Sequence, residues 1–153
     1  MTNNIILTGA TGFLGSHLLK HLIDKTNYNI IILKRSFSDL TRISTILDNK
    51  RVSVVNIDQN PIETAFSDRK GGVAIIHVAT DYGRDGSCVK TLEANLIYPI
   101  KLLELACKYN IELFINTDSY FNKDNMSYLY LQNYSLSKKS LNLWLKFFLK
   151  KLK

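Results

Sequence analysis

The amino-acid sequence predicts an α/β fold, a doubly wound parallel sheet of about five strands in a single domain. Three observations carry this expectation. Apolar, β-branched runs of strand length alternate with helix-period segments along the whole chain. The first run breaks into three glycines spaced three apart, Gly9, Gly12 and Gly15, and then becomes a helix. No tight-hairpin signal joins any two runs, so right-handed crossovers connect parallel strands. The chain of 153 residues, 46% of them apolar, suffices for one core but not for a binding domain plus a substrate domain.

The elements follow in order. A first strand runs to Thr8, and the first helix from Phe13 to about Lys25. Asn29 to Lys34 is a continuous apolar run typical of a buried parallel strand. Ser38-Asp39 caps an expected helix to about Asp48. Arg51 to Ile57 is the third strand, and Pro61 to Phe66 a short crossover turn or helix. Gly71-Gly72 leads into a fourth strand, Val73 to Ala79. A long helix from about Ser87 to Lys108 is expected to bend at Pro99. Glu112 to Thr117 is the fifth strand, an irregular loop extends to about Gln132, and a last helix takes Tyr134 to the end.

Composition narrows the function. The net charge is +7, but six lysines and no acid occupy the last sixteen residues, Lys138 among them, which leaves +1 for everything before. A basic tail of this kind argues against nucleic-acid binding, which needs basic residues spread over a docking face. Cys88 and Cys107 have no CxxC spacing, which argues against a disulfide framework or zinc ribbon and for a reducing, cytoplasmic setting. The N-terminus reads as lacking a signal peptide, and no run approaches membrane-spanning length. The glycosylation patterns at Asn125 and Asn133 are then chance matches.

The glycine turn reads as a dinucleotide cradle. Gly9 permits the sharp turn, Gly12 lets main chain approach a pyrophosphate, and Gly15 lets the helix pack closely on the sheet. The unpaired amides of the helix N-terminus, around Thr11, Phe13 and Leu14, face the phosphates with the positive end of the dipole behind them. The second strand ends in Lys34-Arg35 with no acid before Asp39, a pattern that suits a ribose 2′-phosphate, so NADP is expected over NAD. The bland alternative makes both residues solvated strand-end charges. Ile57 and Asp58, closing the third strand, are placed at the adenine, where Asp58 accepts from the adenine amine or caps the following turn. Val78 and Ala79 end the fourth strand at the same edge, with small Ala79 leaving room for cofactor, whereas His77 reads as a satisfied core histidine. His17 and His21 share a helix face at i, i+4 but lack a third ligand, so no metal is expected.

Tyr134 and Lys138, also four apart on a helix, sit one above the other. A phenol with a pKa of about 10 is a poor proton donor or acceptor at neutral pH, and a neighbouring ammonium favours its ionised form. Such a pair exchanges a proton with a carbonyl or alcohol while hydride moves to or from a nicotinamide.

On these residues the sequence resembles the extended short-chain dehydrogenase/reductases, the NAD-dependent epimerase/dehydratase family, over nearly its whole length. The resemblance implies a Rossmann-like fold and roles for particular residues. Gly9, Gly12 and Gly15 fit the family's glycine turn, Asp58 its adenine-contacting acid, His77 to Thr80 its fourth-strand signature, and Asn95 its central-helix asparagine. Tyr134 and Lys138 fit its catalytic pair, Lys138 also binding the nicotinamide ribose, and Thr117 matches the catalytic Ser/Thr, with Ser119 a rival. More narrowly, His77 to Arg84, Phe114 to Asp118 and Tyr134 to Lys139 are similar to CDP-abequose and CDP-paratose synthases. That likeness implies NADPH-dependent reduction of a 4-keto-6-deoxy CDP-hexose for O-antigen sugars, and a homodimer through the long helices. Set against the family, the chain reads as truncated within the Tyr-Lys helix, without most of the nucleotide-sugar site, and little turnover is expected if it is complete. The alternative is a catalytically inactive cofactor-binding or interaction module. Its amphipathic last helix, with Leu141, Trp144, Leu145, Phe148 and Leu149 at helical spacing, would then bind a partner or a membrane surface.

Overall fold

The computed structural model describes residues 2–67, 72–121 and 129–151. They form two compact units, one drawn from within residues 1–79 and 109–116, the other from within 80–108 and 117–153.

The first unit holds β1 (Thr2–Thr8), α1 (Phe13–Lys25), β2 (Asn29–Lys34), β3 (Val52–Asn56), β4 (Gly72–His77) and β5 (Leu113–Asn116). All neighbouring strands are parallel, in the order β3-β2-β1-β4-β5. Ile5 stands between Ile30 and Ala74, and Leu7 between Ile32 and Ile76. The chain therefore builds outward from β1 through β2 to β3, then crosses back to start again with β4 on the other side of β1. That reversal makes the carboxyl ends of β1 and β4 the topological switch point, the place where open parallel sheets leave a crevice for ligand.

Ile5 to Leu7 of β1 and Ile30 to Leu33 of β2 are apolar on both faces, as the interior strands of a sheet covered on both sides require. Ile5, Leu7, Ile30 and Ile32 turn to a core completed by Leu19 and Leu22 of α1, Ala10, Ile43 and Val78. The intervening Ile6 and Ile31 are equally buried. Alternation sends successive side chains to opposite faces, so only a strand covered on both sides is apolar throughout. Arg51 fastens the far end of α1, its guanidinium donating to the carbonyls of Ile23 and Thr26 at 2.6 Å each. These are carbonyls that the helix end itself leaves unpaired.

The second unit consists of α2 (Cys88–Leu92), a π-helical turn (Glu93–Ile97), α3 (Tyr98–Lys108) and α4 (Leu129–Lys151). Ser87 caps α2, its hydroxyl accepting from the amide of Lys90. α4 packs on α2, on the π-helical turn and on α3.

Local structure departs from the sequence reading in four places. Residues 38–48 are not a helix but a chain of turns with one 3-10 turn, Ser44–Ile46. Asp39 there accepts from both the amide and the hydroxyl of Thr41, and Ser44 donates to the Thr41 carbonyl. Short polar side chains so compete with the helical ladder, while Ile43 still reaches the core. The long helix contains the π-helical turn just before Pro99, whose missing N–H breaks the regular ladder. The last helix starts at Leu129, five residues before the expected Tyr134, and the expected loop at 122–128 lies outside the described residues, as does Gly71. The apolar face expected on that helix divides. Leu141 and Phe148 are buried, but Trp144 and Leu149 are exposed along with Leu136, Leu143 and Phe147.

Candidate functional site

The glycine turn shows in atomic terms what each glycine does. Gly9 has φ of 72°, and a Cβ on it would lie 2.6 Å from the Ala79 nitrogen. A Cβ on Gly15 would lie 2.0 Å from the Gly9 carbonyl oxygen. Both positions are closed to any side chain by main chain. Gly12 differs: its Cβ would meet only the Gly9 oxygen, at 3.4 Å, so it faces open space. Its amide donates to the Gly9 carbonyl and its carbonyl accepts from Ser16, which tightens the turn into the first turn of α1. Among the described residues no side chain caps α1, and its first turn carries no acid. Phe13 and Leu14 stand exposed beside that end, and Thr11 is partly exposed. The arrangement offers main-chain N–H groups and the positive end of a helix dipole to an anion, with no methyl group in the way.

Across the switch point, one side chain that sequence reasoning missed joins the strand ends. The Thr8 hydroxyl accepts from the amides of Val78 and Ala79, both at 3.1 Å, and lies 2.8 Å from His77 Nδ1. His77 is fully buried. Nothing in the local pattern marks Thr8, because its partners are about 70 residues away.

At the carboxyl ends of β2 and β3 the expected binding residues are already engaged with one another. Both carboxylate oxygens of Asp58 accept from Ser36, one from its amide at 2.7 Å and one from its hydroxyl at 2.6 Å. These bonds, led by the Ser36 hydroxyl, hold the Asp58 carboxyl below its usual pKa. Asp58 thus ties the loop after β2 rather than capping its own turn, and each oxygen keeps a lone pair for a further donor. Ile57 donates its amide to the Lys34 carbonyl. The Lys34 ammonium donates to the carbonyls of Arg35 and Ser36, and the Arg35 guanidinium lies 4.8 Å from the centroid of the Phe37 ring.

The second unit gathers the other candidates. Tyr134 and Lys138 are 4% and 2% exposed. Lys138 Nζ donates to the Thr117 carbonyl at 2.6 Å. Burial pushes the Lys138 ammonium below the usual lysine pKa, with Asp118 opposing. Asn95 is a hub whose four hydrogen bonds use every site on its amide. Its Oδ1 accepts from the Thr80 hydroxyl and the Asp81 amide, and its Nδ2 donates to the Asp81 carbonyl and the Ser137 hydroxyl. Ser137 in turn donates to the Tyr134 carbonyl. An amide so fully used supports its neighbours rather than touching a cofactor. Ser119 is engaged in a local turn, its hydroxyl accepting from the Phe121 amide.

Among the described residues no three His, Cys, Asp or Glu side chains gather as metal ligands. A groove of about 410 Å³ runs between α1 and residues 42–49, beside His17, Lys20 and Arg42, and contains none of the expected site residues. No helix among the described residues is long and apolar enough to cross a membrane.

Sheet order and glycine turn together define a Rossmann-like α/β protein. Residues 5–138 match the NAD dependent epimerase/dehydratase family, and the chain belongs to it. CDP-abequose synthase of Salmonella muenchen is 38% identical over 140 residues, an overlap covering 91% of this chain and 45% of that enzyme. The dTDP-4-dehydrorhamnose reductase of Aggregatibacter actinomycetemcomitans is 31% identical over 63% of this chain and 41% of its own. The chain thus spans less than half the length of these relatives. Among solved structures, UDP-glucuronic acid 4-epimerase from Bacillus cereus in complex with NAD superposes with a TM-score of 0.79 at 20% identity. That overlap covers 97% of this chain and 53% of the epimerase, a likeness of fold.

Proposed function

We propose that this chain is the cofactor-binding part of a nucleotide-sugar oxidoreductase that uses NADPH to reduce a 4-keto-6-deoxy CDP-hexose, in the manner of CDP-abequose synthase. The observation that carries the reading is the glycine turn, closed by main chain at Gly9 and Gly15 but open at Gly12, leading into an uncapped helix. That shape fits a dinucleotide diphosphate. The diphosphate rests on residues 9–15, with Thr11, Phe13 and Leu14 beside it. Ile57 and Asp58 take the adenine, Lys34 and Arg35 the 2′-phosphate, and Val78 and Ala79 border the crevice. The 38% identity to a CDP-abequose synthase supports the sugar assignment.

When bound, the cofactor supplies hydride. The chain's own residues handle the proton: Tyr134 donates it to the sugar oxygen, Thr117 hydrogen-bonds that oxygen, and Lys138 supports Tyr134 and binds the nicotinamide ribose. A lysine kept partly out of water is a stronger electrostatic neighbour to a phenolate than an exposed one. Asn95 holds the turn of α4 that carries Tyr134. We place the protein in the cytoplasm, where its nucleotide-sugar substrate and reduced nicotinamide are made.

Titration of the protein with NADPH and NADH, read by nicotinamide fluorescence, tests the cofactor assignment. NADPH should bind more tightly, and Arg35→Ala should remove the difference; tighter NADH binding refutes it. Oxidation of NADPH by a CDP-4-keto-6-deoxyhexose in the protein but not in Tyr134→Phe tests the chemistry.

A second reading rests on α4. Leu136, Leu143, Trp144 and Phe147 are all 43–67% exposed, an apolar surface that suits a contact with a second copy through this helix. Analytical ultracentrifugation should show a dimer that Trp144→Glu dissociates, whereas a monomeric wild-type chain rules this contact out.

A further inference from the structure

Tyr82 has no part in the roles above, yet its ring stacks on Tyr134 with centroids 5.0 Å apart and planes 27° apart. The Arg84 guanidinium lies 5.5 Å from the centroid of the Tyr82 ring. Tyr82 is 44% exposed, whereas Tyr134 is nearly buried. A half-exposed ring on a loop keeps one orientation only where its backbone and its neighbours restrain it.

The loop supplies the restraint. Asp81 Oδ1 accepts from the Gly83 amide at 2.7 Å, closing a turn of which Tyr82 is the middle residue. Gly83 takes φ of 69° there, a conformation that favours glycine. Asp81 is itself clamped to Asn95 through both its amide and its carbonyl, each at 2.7 Å. The same Asn95 reaches Tyr134 by a second route, through Ser137 to the Tyr134 carbonyl. Two arms from one buried amide therefore converge on Tyr134. One passes through Ser137 to its main chain, and the other through Asp81 and Tyr82 to its ring.

We propose that Tyr82 is a positioning residue, holding the Tyr134 ring in one orientation and screening it from water until substrate arrives. The proposal rests on the reading of Tyr134 as proton donor. Its effect is orientation, so an aromatic ring at position 82 is required and the Tyr82 hydroxyl is not.

The test uses the 153-residue protein with carbon-13-labelled tyrosine, comparing wild type, Tyr82→Phe and Tyr82→Leu. The Tyr134 ring signals, assigned from their loss in Tyr134→Phe, should carry a ring-current shift in wild type and Tyr82→Phe that vanishes in Tyr82→Leu. Acetylation of Tyr134 by N-acetylimidazole, followed by peptide mass spectrometry, should be about tenfold faster in Tyr82→Leu as the cover is lost, and unchanged in Tyr82→Phe. Wild-type shift and reactivity in Tyr82→Leu overturn the proposal, as does a Tyr82→Phe variant that behaves like Tyr82→Leu. Both readouts are free of turnover, so a negative result here leaves the proton-donor reading standing, and an active Tyr134→Phe enzyme sinks that reading without touching the stack.

Discussion

Adding one methyl group at Gly15 or at Gly12 should damage two different properties. At Gly15 the new Cβ falls 2.0 Å from the Gly9 oxygen, 2.6 Å from the Gly9 carbonyl carbon and 2.9 Å from the Ala10 Cα. All three are main-chain atoms, so no flexible side chain can give way, and the turn or the start of α1 must move by more than 1 Å. Overpacking of this kind costs about 3 kcal/mol, the upper end of its usual range. At Gly12 the methyl meets only the Gly9 oxygen at 3.4 Å, and the residue's φ of −79° suits alanine. The loss of a favoured N-cap residue costs about 0.5–1 kcal/mol, but the methyl projects into the space assigned to the diphosphate. Urea denaturation and NADPH fluorescence titration on the same two variants separate these effects. Gly15→Ala should lower the unfolding free energy by about 3 kcal/mol, whereas Gly12→Ala should stay near wild type in stability and lose at least tenfold in NADPH affinity, about 1.4 kcal/mol. A Gly15→Ala protein as stable as wild type refutes the packing argument. A Gly12→Ala protein that binds NADPH at full affinity refutes the cradle.

Three further outcomes follow from the hydrogen bonds. Arg51→Leu should destabilise by about 2–3 kcal/mol, since charge-assisted bonds to the α1 carbonyls vanish together, and Arg51→Lys should recover only part of it; urea midpoints decide. Because the folded Asp58 carboxyl titrates below its usual value of 3.8, the Ser36 bonds contribute above that pH and fade as pH falls through the folded pKa. The stability gap between wild type and Asp58→Asn should therefore narrow as pH falls below 3.8, and a gap that stays constant or widens on acidification contradicts the assignment. Lys138 shifts in the same direction: its folded pKa lies below 10.5, because burial disfavours the charged ammonium, so the unfolded chain binds more protons just below that value. Wild type should gain stability relative to Lys138→Met as pH rises toward 10.5, a trend measurable by chemical denaturation across that window.

Legibility in the sequence depended on how far a residue's partners lie along the chain. The bounds of α1 and β2 agree with the structure because glycine spacing, helical period and β-branched runs are local signals. Residues 38–48 misled because Ser38-Asp39 looks like a helix cap, whereas Asp39 instead closes a local turn with Thr41, while Leu40, Ile43 and Leu47 still reach the core. The π-helical turn before Pro99 has no marker beyond the proline. In the candidate site, the glycine turn and the Tyr134–Lys138 pair were visible as motifs. The Thr8–His77 bond, the Ser36–Asp58 clasp and the Tyr82–Tyr134 stack were not, because each joins residues far apart in sequence that share no periodicity. Asn95 was picked out by resemblance, but its role as a fully engaged hub follows only from the folded chain, which brings Thr80, Asp81 and Ser137 around it.

The central claim is that bare main-chain nitrogens at the opening turn receive a dinucleotide diphosphate. An amide nuclear magnetic resonance titration of the nitrogen-15-labelled protein with NADPH tests it most directly. The largest shift changes should fall on residues 9–15, with smaller ones at Asp58 and Ala79. Unmoved glycine-turn signals at saturating NADPH, or changes confined to the groove beside Lys20 and Arg42, would contradict it.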